Sequence, residues 1–263
     1  MGSNLSFFRR ITALLLAAIA TAAMSTSAQA DDGGKSRFSF FGSGTRVTGS
    51  GKLATESRVV TGFQAIALRT SMKLMLRQGT REGIELRGDD NILPLIETTV
   101  VDRSGVPTLE ITTKKGSGFS TGNPIVATID LITLRALSIS GSGDVVGDAL
   151  KTPGLSVAIS GSGNVKLKQI AADEVSAKVS GSGDIEFGGR TGKLGVSISG
   201  SGDVKTRGLE ADDVTVSVAG SGDADVTARK TLTVSIAGVG NVKYTGDATV
   251  KSSIAGRGNV SKQ

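Results

Sequence analysis

The chain has 263 residues, among them 37 Gly, eight Phe and one Tyr but no Trp, His or Cys, and 30 basic against 24 acidic side chains give it a formal charge of +6. Without His or Cys there is no Ser-His-Asp triad, no thiolate nucleophile, no disulfide and none of the usual zinc ligands. Abundant Gly, Val, Ile and Thr with few aromatics favour a thin β-structure over one thick globular core.

The first thirty residues have the parts of a secretory signal peptide: "FFRR" is a positive segment, "ITALLLAAIATAA" an apolar one, and "AQA" ending at Ala30 a small-residue cleavage site. The apolar run falls short of the roughly 20 residues that span a bilayer. The mature chain is therefore expected to start near Asp31, exported and without a transmembrane segment. Removing Arg9 and Arg10 leaves 28 basic against 24 acidic residues, a net +4. Residues 31–58, "DDGGKSRFSFFGSGTRVTGSGKLATESR", are rich in Gly and Ser and read as a linker. Their "GSGK" fails as a phosphate loop, because Arg46 stands where Gly is needed and Leu53 where Ser or Thr is.

Residues 59–123 carry short alternations of apolar and polar side chains, as in "FQAIALRTSMKLMLRQG", "IELRG", "ETTVVD" and "LEITTK". Period two is the signature of strands with one buried face. The intervening "DDNILPLI" holds Asp, Asn and Pro, which allow one helical turn at most. This part reads as the less regular start of a longer β-structure.

Residues 124–263 repeat. A Gly-Ser-Gly-Asx corner, or a close variant of it, begins at Gly141, Gly161, Gly181, Gly200, Gly220, Gly238 and Gly256, in steps of 20, 20, 19, 20, 18 and 18. So regular a step marks an array architecture. Two residues before each corner stands Ile or Val, from Ile139 to Ile254; four before it stand Leu137, Val157, Ala177, Val196, Val216, Val234 and Ser252. The residues between these columns are mostly Ser, so one face points in and the other out. After the corner comes an Asx column, Asp144, Asn164, Asp184, Asp203, Asp223, Asn241 and Asn259, then an aliphatic column, then Val146, Lys166, Glu186, Lys205, Asp225, Lys243 and Ser261. The sign of the last column alternates through its middle five members. Copies stacked in register would set those charges about 4.8 Å apart, where opposite signs attract and like signs repel. The alternation therefore predicts copy-on-copy stacking, and it argues against nucleic acid, which needs a uniformly basic groove.

The corner phrase is expected to be structural, because Gly takes positive φ without steric cost and Asx bonds nearby backbone amides. It is not a dinucleotide fingerprint, since "GSGDVVG" has one residue too many and opens a strand. Calcium, as in β-roll turns, is weighed and set aside: those repeat every nine residues, whereas here the step is near twenty and three of the seven Asx are Asn. No Lys has Ser three residues before it, so a Ser-x-x-Lys dyad is missing too. The pairs Asp184 with Glu186 and Asp223 with Asp225 are the remaining carboxylates for glycoside chemistry. No catalytic, cofactor-binding or metal residue is assigned.

The ensemble "VTGFQAIALRTSMKLMLRQGTREGIELRGDDNILPLIETTV" followed by "SISGSGDV", "AISGSGNV", "KVSGSGDI" and "SISGSGDV" resembles the bacterial family called putative auto-transporter adhesin, head GIN domain, from about Val59 onward. The resemblance implies secreted β-helical proteins with an adhesive or surface role and supplies no site residues. The residues themselves predict an all-β fold, a single-stranded right-handed parallel β-helix, or β-solenoid, with rungs of about 20 residues over 59–263. The function expected is that of a non-enzymatic protein of the cell envelope, adhesive or structural, in the periplasm or at the surface. A glycan-active β-helical enzyme and a periplasmic oligomerisation scaffold are the alternatives. Expected partners are a glycan, an envelope protein or a second copy of the chain.

Overall fold

The computed structural model describes residues 45–263, so the signal peptide and the first part of the linker lie outside the described residues. Strands make up nearly all of the regular structure, with one 3-10 turn at Leu93–Leu95, inside the segment where the Pro restricted helix to a single turn. The repeat region forms β10 (Ala136–Gly141), β11 (Asp144–Lys151), β12 (Gly154–Gly161) and the long β13 (Asn164–Gly181), β14 (Ile185–Gly200), β15 (Val204–Gly220) and β16 (Ala224–Gly238). It closes with β17 (Val242–Thr245), β18 (Thr249–Gly256) and β19 (Val260–Lys262).

These strands pair in parallel, each copy on the next, in the register of the corner spacing: Gly141 faces Gly161, Gly161 faces Gly181, and Gly181 faces Gly200. Each rung has an arm that enters the corner and an arm that leaves it. The inward columns of the two arms form one continuous core. Leu137, Val157, Ala177, Val196, Val216 and Val234 are buried, as are Ile139 to Ile236 two residues on and Val145, Val165, Ile185, Val204, Ala224 and Val242 on the departing arm. At roughly 1.5–3 kcal/mol for each fully buried aliphatic side chain, stacking of like on like is the main source of stability. At the far end of the departing arms the pairing slips, between Leu167 and Ile170 and between Glu186 and Gly188, and these bulges bend the long strands into the next arm.

The N-terminal part joins the same stack out of sequence order. β3 (Ala65–Leu68) and β4 (Lys73–Gln78) form a rung between β10 and β11 on one side and β7 (Val106–Thr113) and β9 (Val126–Leu131) on the other. Three pairings here are antiparallel: β5 (Gly83–Asp89) with β9, β6 (Ile96–Arg103) with β7, and β2 (Leu53–Arg58) with β5. The parallel solenoid thus begins under a cap of antiparallel strands.

The linker expectation for 31–58 is corrected over its second half. β1 (Thr45–Thr48) pairs with β8 (Ser117–Ser120), and β2 is a strand of the cap. Side chains far along the chain account for this order. Arg58 donates to Leu93 O and Ile96 O at 2.9 and 2.5 Å, and Asn91 bridges Ser50 N–H and Thr48 O. A Gly- and Ser-rich composition carries no sign of such distant partners.

Candidate binding surface

The corner is built by two glycines with different tasks. The first has φ between +129° and +153° at the seven copies, a region that side chains rarely adopt. The second is pressed against the rung before it: a Cβ on Gly183 would lie 2.1 Å from Gly163 O and 2.9 Å from Ile159 Cγ2. The Ser between them is exposed at its apex, and its backbone N–H donates to the first Gly carbonyl of the preceding rung, as from Ser182 to Gly161 at 2.9 Å.

The Asx column does more than turn the chain. From Asp144 to Asp223 each side-chain Oδ1 accepts the backbone N–H of the Asx on the next rung: Asn164 N–H donates to Asp144 (3.2 Å), Asp184 to Asn164 (3.2 Å), Asp203 to Asp184 (2.9 Å), Asp223 to Asp203 (3.1 Å) and Asn241 to Asp223 (2.7 Å). The expected bond to a nearby amide is therefore an inter-rung bond. Asn serves as well as Asp because only an acceptor oxygen is required, which explains the mixed column. Among the described residues no group of three or more carboxylates is placed to hold a metal ion.

Charge lies on two other sides of the rung, in opposite phase. Along the departing arm the order is Asp148, then Lys166 with Lys168, Glu186, Lys205 with Arg207, Asp225 and Lys243. At the far bend the same rungs carry Lys151, then Asp173 with Glu174, Arg190 with Lys193, Glu210 with Asp212 and Asp213, Arg229 with Lys230, and Asp247. Ion pairs join neighbouring rungs: Lys168–Asp148 and Lys166–Glu186 at 2.7 Å, Lys230–Asp212 at 2.9 Å and Arg190–Glu210 at 3.2 Å. Lys230, first by its hydrogen bond and then by its charge, holds the Asp212 carboxyl below its ordinary value, and Asp212 raises Lys230 in return.

The entering arm is different. Its outward columns are Ser138, Ala158, Lys178, Ser197, Ser217, Ser235 and Ser253, then Ser140, Ser160, Ser180, Ser199, Ala219, Ala237 and Ala255 beside the corner. Ser176, Gly195, Thr215 and Thr233 continue it on the other side. Lys178 is the one charge in its middle rungs. The result is a face of small hydroxyl-bearing side chains repeating about every 4.8 Å across the strands and roughly 7 Å along them.

The family described as "putative auto-transporter adhesin, head GIN domain" matches residues 62–248. The chain belongs to this family. Among solved structures, a putative adhesin of Bacteroides fragilis shares 28% identity with this head GIN chain, with a TM-score of 0.78 over 82% of this chain and all of the other. A putative lipid binding protein of Parabacteroides distasonis, at 23% identity and a TM-score of 0.69 over 83% of this chain and 99% of its own, shares the fold. So does a putative adhesin from the same organism, at 24% and 0.65 over 83% of this chain and 100% of its own. No curated protein matches the sequence.

In this head GIN domain the carboxylate pairs weighed for glycoside chemistry are engaged in the stack. Asp184 bonds Asp203 N–H and Glu186 is paired with Lys166; Asp223 bonds Asn241. One oxygen of Asp225 is shielded from solvent without a hydrogen bond, and the register places Lys205 and Lys243 on either side. The second charge column at the far bend escaped the sequence because the bulges shift its spacing from the corner before it. Counted back seven residues from the following corner, Glu174, Lys193, Asp213 and Thr231 do line up.

Proposed function

We propose that this chain is an exported, non-enzymatic protein of the bacterial envelope whose serine face holds an extended glycan. The observation that carries the reading is that face: adjoining columns of Ser, Thr, Ala and Gly on a parallel sheet, with Lys178 the one charge in its middle rungs and the charge ladders on the other sides. Small side chains let a polymer approach the sheet closely, and hydroxyls both donate and accept, as sugar hydroxyls do. Each contact is weak, and repetition along the stack multiplies it as linked sites do. Family membership and the likeness to a putative adhesin support binding over catalysis.

Immobilised envelope polysaccharides should retain the purified protein, and Ser180→Lys with Ser199→Lys on the face should weaken retention about tenfold, roughly 1.4 kcal/mol. Lys166→Gln on the charged arm should leave retention unchanged. Release of reducing ends would replace binding with glycan cleavage, and equal retention of all variants would move the site elsewhere. Protease shaving of intact cells, with a periplasmic marker as control, decides between surface and periplasm.

A further inference from the structure

The two ends of the stack differ. At the N-terminal end antiparallel strands close it, with β6 turned back on β7 and β2 on β5, and Arg58 bonded across to the 3-10 turn. At the other end β18 pairs with β16 and β19 with β17, and among the described residues neither has a partner on its second side. Val250 and Val260 of this last layer pack against the core, but its apolar residues are incompletely covered. Ile254 is 42% exposed, while Ile236, one rung earlier in the same column, is 1% exposed. Val250 and Val260 are half-buried, while the residues they follow, Leu232 and Val242, are fully buried. Among the described residues no further strand covers this layer.

We propose that β18 of a second copy covers this layer, which makes the protein a tail-to-tail dimer. The strand complements itself. In β18 the inward column is Val250, Ser252 and Ile254, so antiparallel pairing keeps inward residues opposite inward residues only in registers centred on one of them or on its neighbour in the strand. Centred on Ser252, the middle of that column, Val250 meets Ile254 of the partner copy, Ser252 meets its own counterpart, Lys251 meets Ser253 and Thr249 meets Ala255. The single charge of β18 never faces itself, and two apolar pairs carry the core across the axis. β18 carries one charge, Lys251, but no Pro, and its pairing with β16 runs without a bulge, so two of the devices that keep edge strands apart are missing from it. A head-to-tail stack would set β18 against the antiparallel cap, where Arg58 is already bonded and the strand direction differs. It would also grow into a filament, whereas the two-fold arrangement closes.

This inference is independent of the glycan, and it doubles the length of the serine face presented by one particle. Sedimentation of the full chain at tens of micromolar should give twice the mass of a single chain, and Ile254→Lys should return it to the single mass with an unchanged β-sheet circular dichroism spectrum. Ser252→Cys, the only thiol in a chain without cysteine, should close into a disulfide-linked dimer under mild oxidation. Directly opposed strand residues lie about 4.5–5.5 Å apart at Cα, within the range a disulfide spans. Ser235→Cys, one rung inside, should not cross-link. A single mass for the unaltered protein at every concentration would overturn the proposal. So would a dimer that survives Ile254→Lys, or Ser235→Cys cross-linking as fast as Ser252→Cys. Should Ile254→Lys fail to fold, the two thiol variants decide.

Discussion

The second glycine of each corner has no room for any other side chain. Gly183→Ala would drive a Cβ into the backbone of the preceding rung, and relief requires the two rungs to part. It should lower stability by about 2–4 kcal/mol. Gly195→Ala is the matched control, on the outward face of β14 with nothing within 4 Å of its Cβ, and it should be neutral or slightly stabilising. Urea unfolding of the two variants checks both outcomes. A second residue-scale test concerns the cap. Asp89 is almost fully buried and accepts hydrogen bonds from Thr121 Oγ1 and Asn123 Nδ2, both at 2.6 Å, which with the Gly51 amide hold its carboxyl below the ordinary value. A lowered folded-state value means that the stabilisation is present above the unfolded carboxyl pKa of about 3.9 and is lost as pH falls through the folded one. Thermal melts between pH 7 and pH 2 should show Asp89→Asn less stable than the parent at neutral pH, with a shallower decline in acid.

Between rungs, the alternating ladder makes its own prediction. Glu186→Lys would place three lysines in one column, at 166, 186 and 205, and remove the ion pair with Lys166. Exposed like charges across neighbouring strands should cost about 1 kcal/mol at low salt and less as salt rises. Equal destabilisation at all ionic strengths would mean that the loss is one of packing and not of charge. This ladder was legible before any coordinate, because its residues sit at a constant distance after the corner and the sequence step equals the structural register. The inward aliphatic columns were legible for the same reason. The order of the N-terminal rungs was not: β3 and β4 enter the middle of the stack, and no local pattern records which strand a segment will lie beside. Nor did composition mark residues 45–58 as strands, since their order comes from Arg58, Asn91 and Asp89, whose partners lie more than thirty residues away. The Asx bonds stood halfway between, as the column was visible and its target was not.

At the scale of the whole stack, near-identical repeats raise the question of how each rung finds its proper neighbour. The inward columns are interchangeable aliphatics, so hydrophobic burial alone would tolerate skipping a rung. The two charge columns would not, because both change sign at every rung and therefore have a period of two. Deleting residues 185–203 joins Asp184 to Val204 with a corner still in place, yet it sets Lys166 beside Lys205, Glu174 beside Asp213 and Asp173 beside Asp212. Deleting residues 185–223 removes a further rung of core and joins Asp184 to Ala224, but it restores opposite neighbours, with Lys166 beside Asp225 and Asp173 beside the Arg229 and Lys230 pair. If burial alone governed assembly, the shorter protein would be the less stable, because repeat stabilities add. With the ladders in control, the one-rung deletion should be the less stable of the two in low salt, and added salt should narrow the gap as screening weakens its like-charge contacts. Parallel thermal melts of the two deletions at low and high ionic strength decide the point, and a one-rung deletion that is more stable at both would reduce the charge alternation to surface decoration.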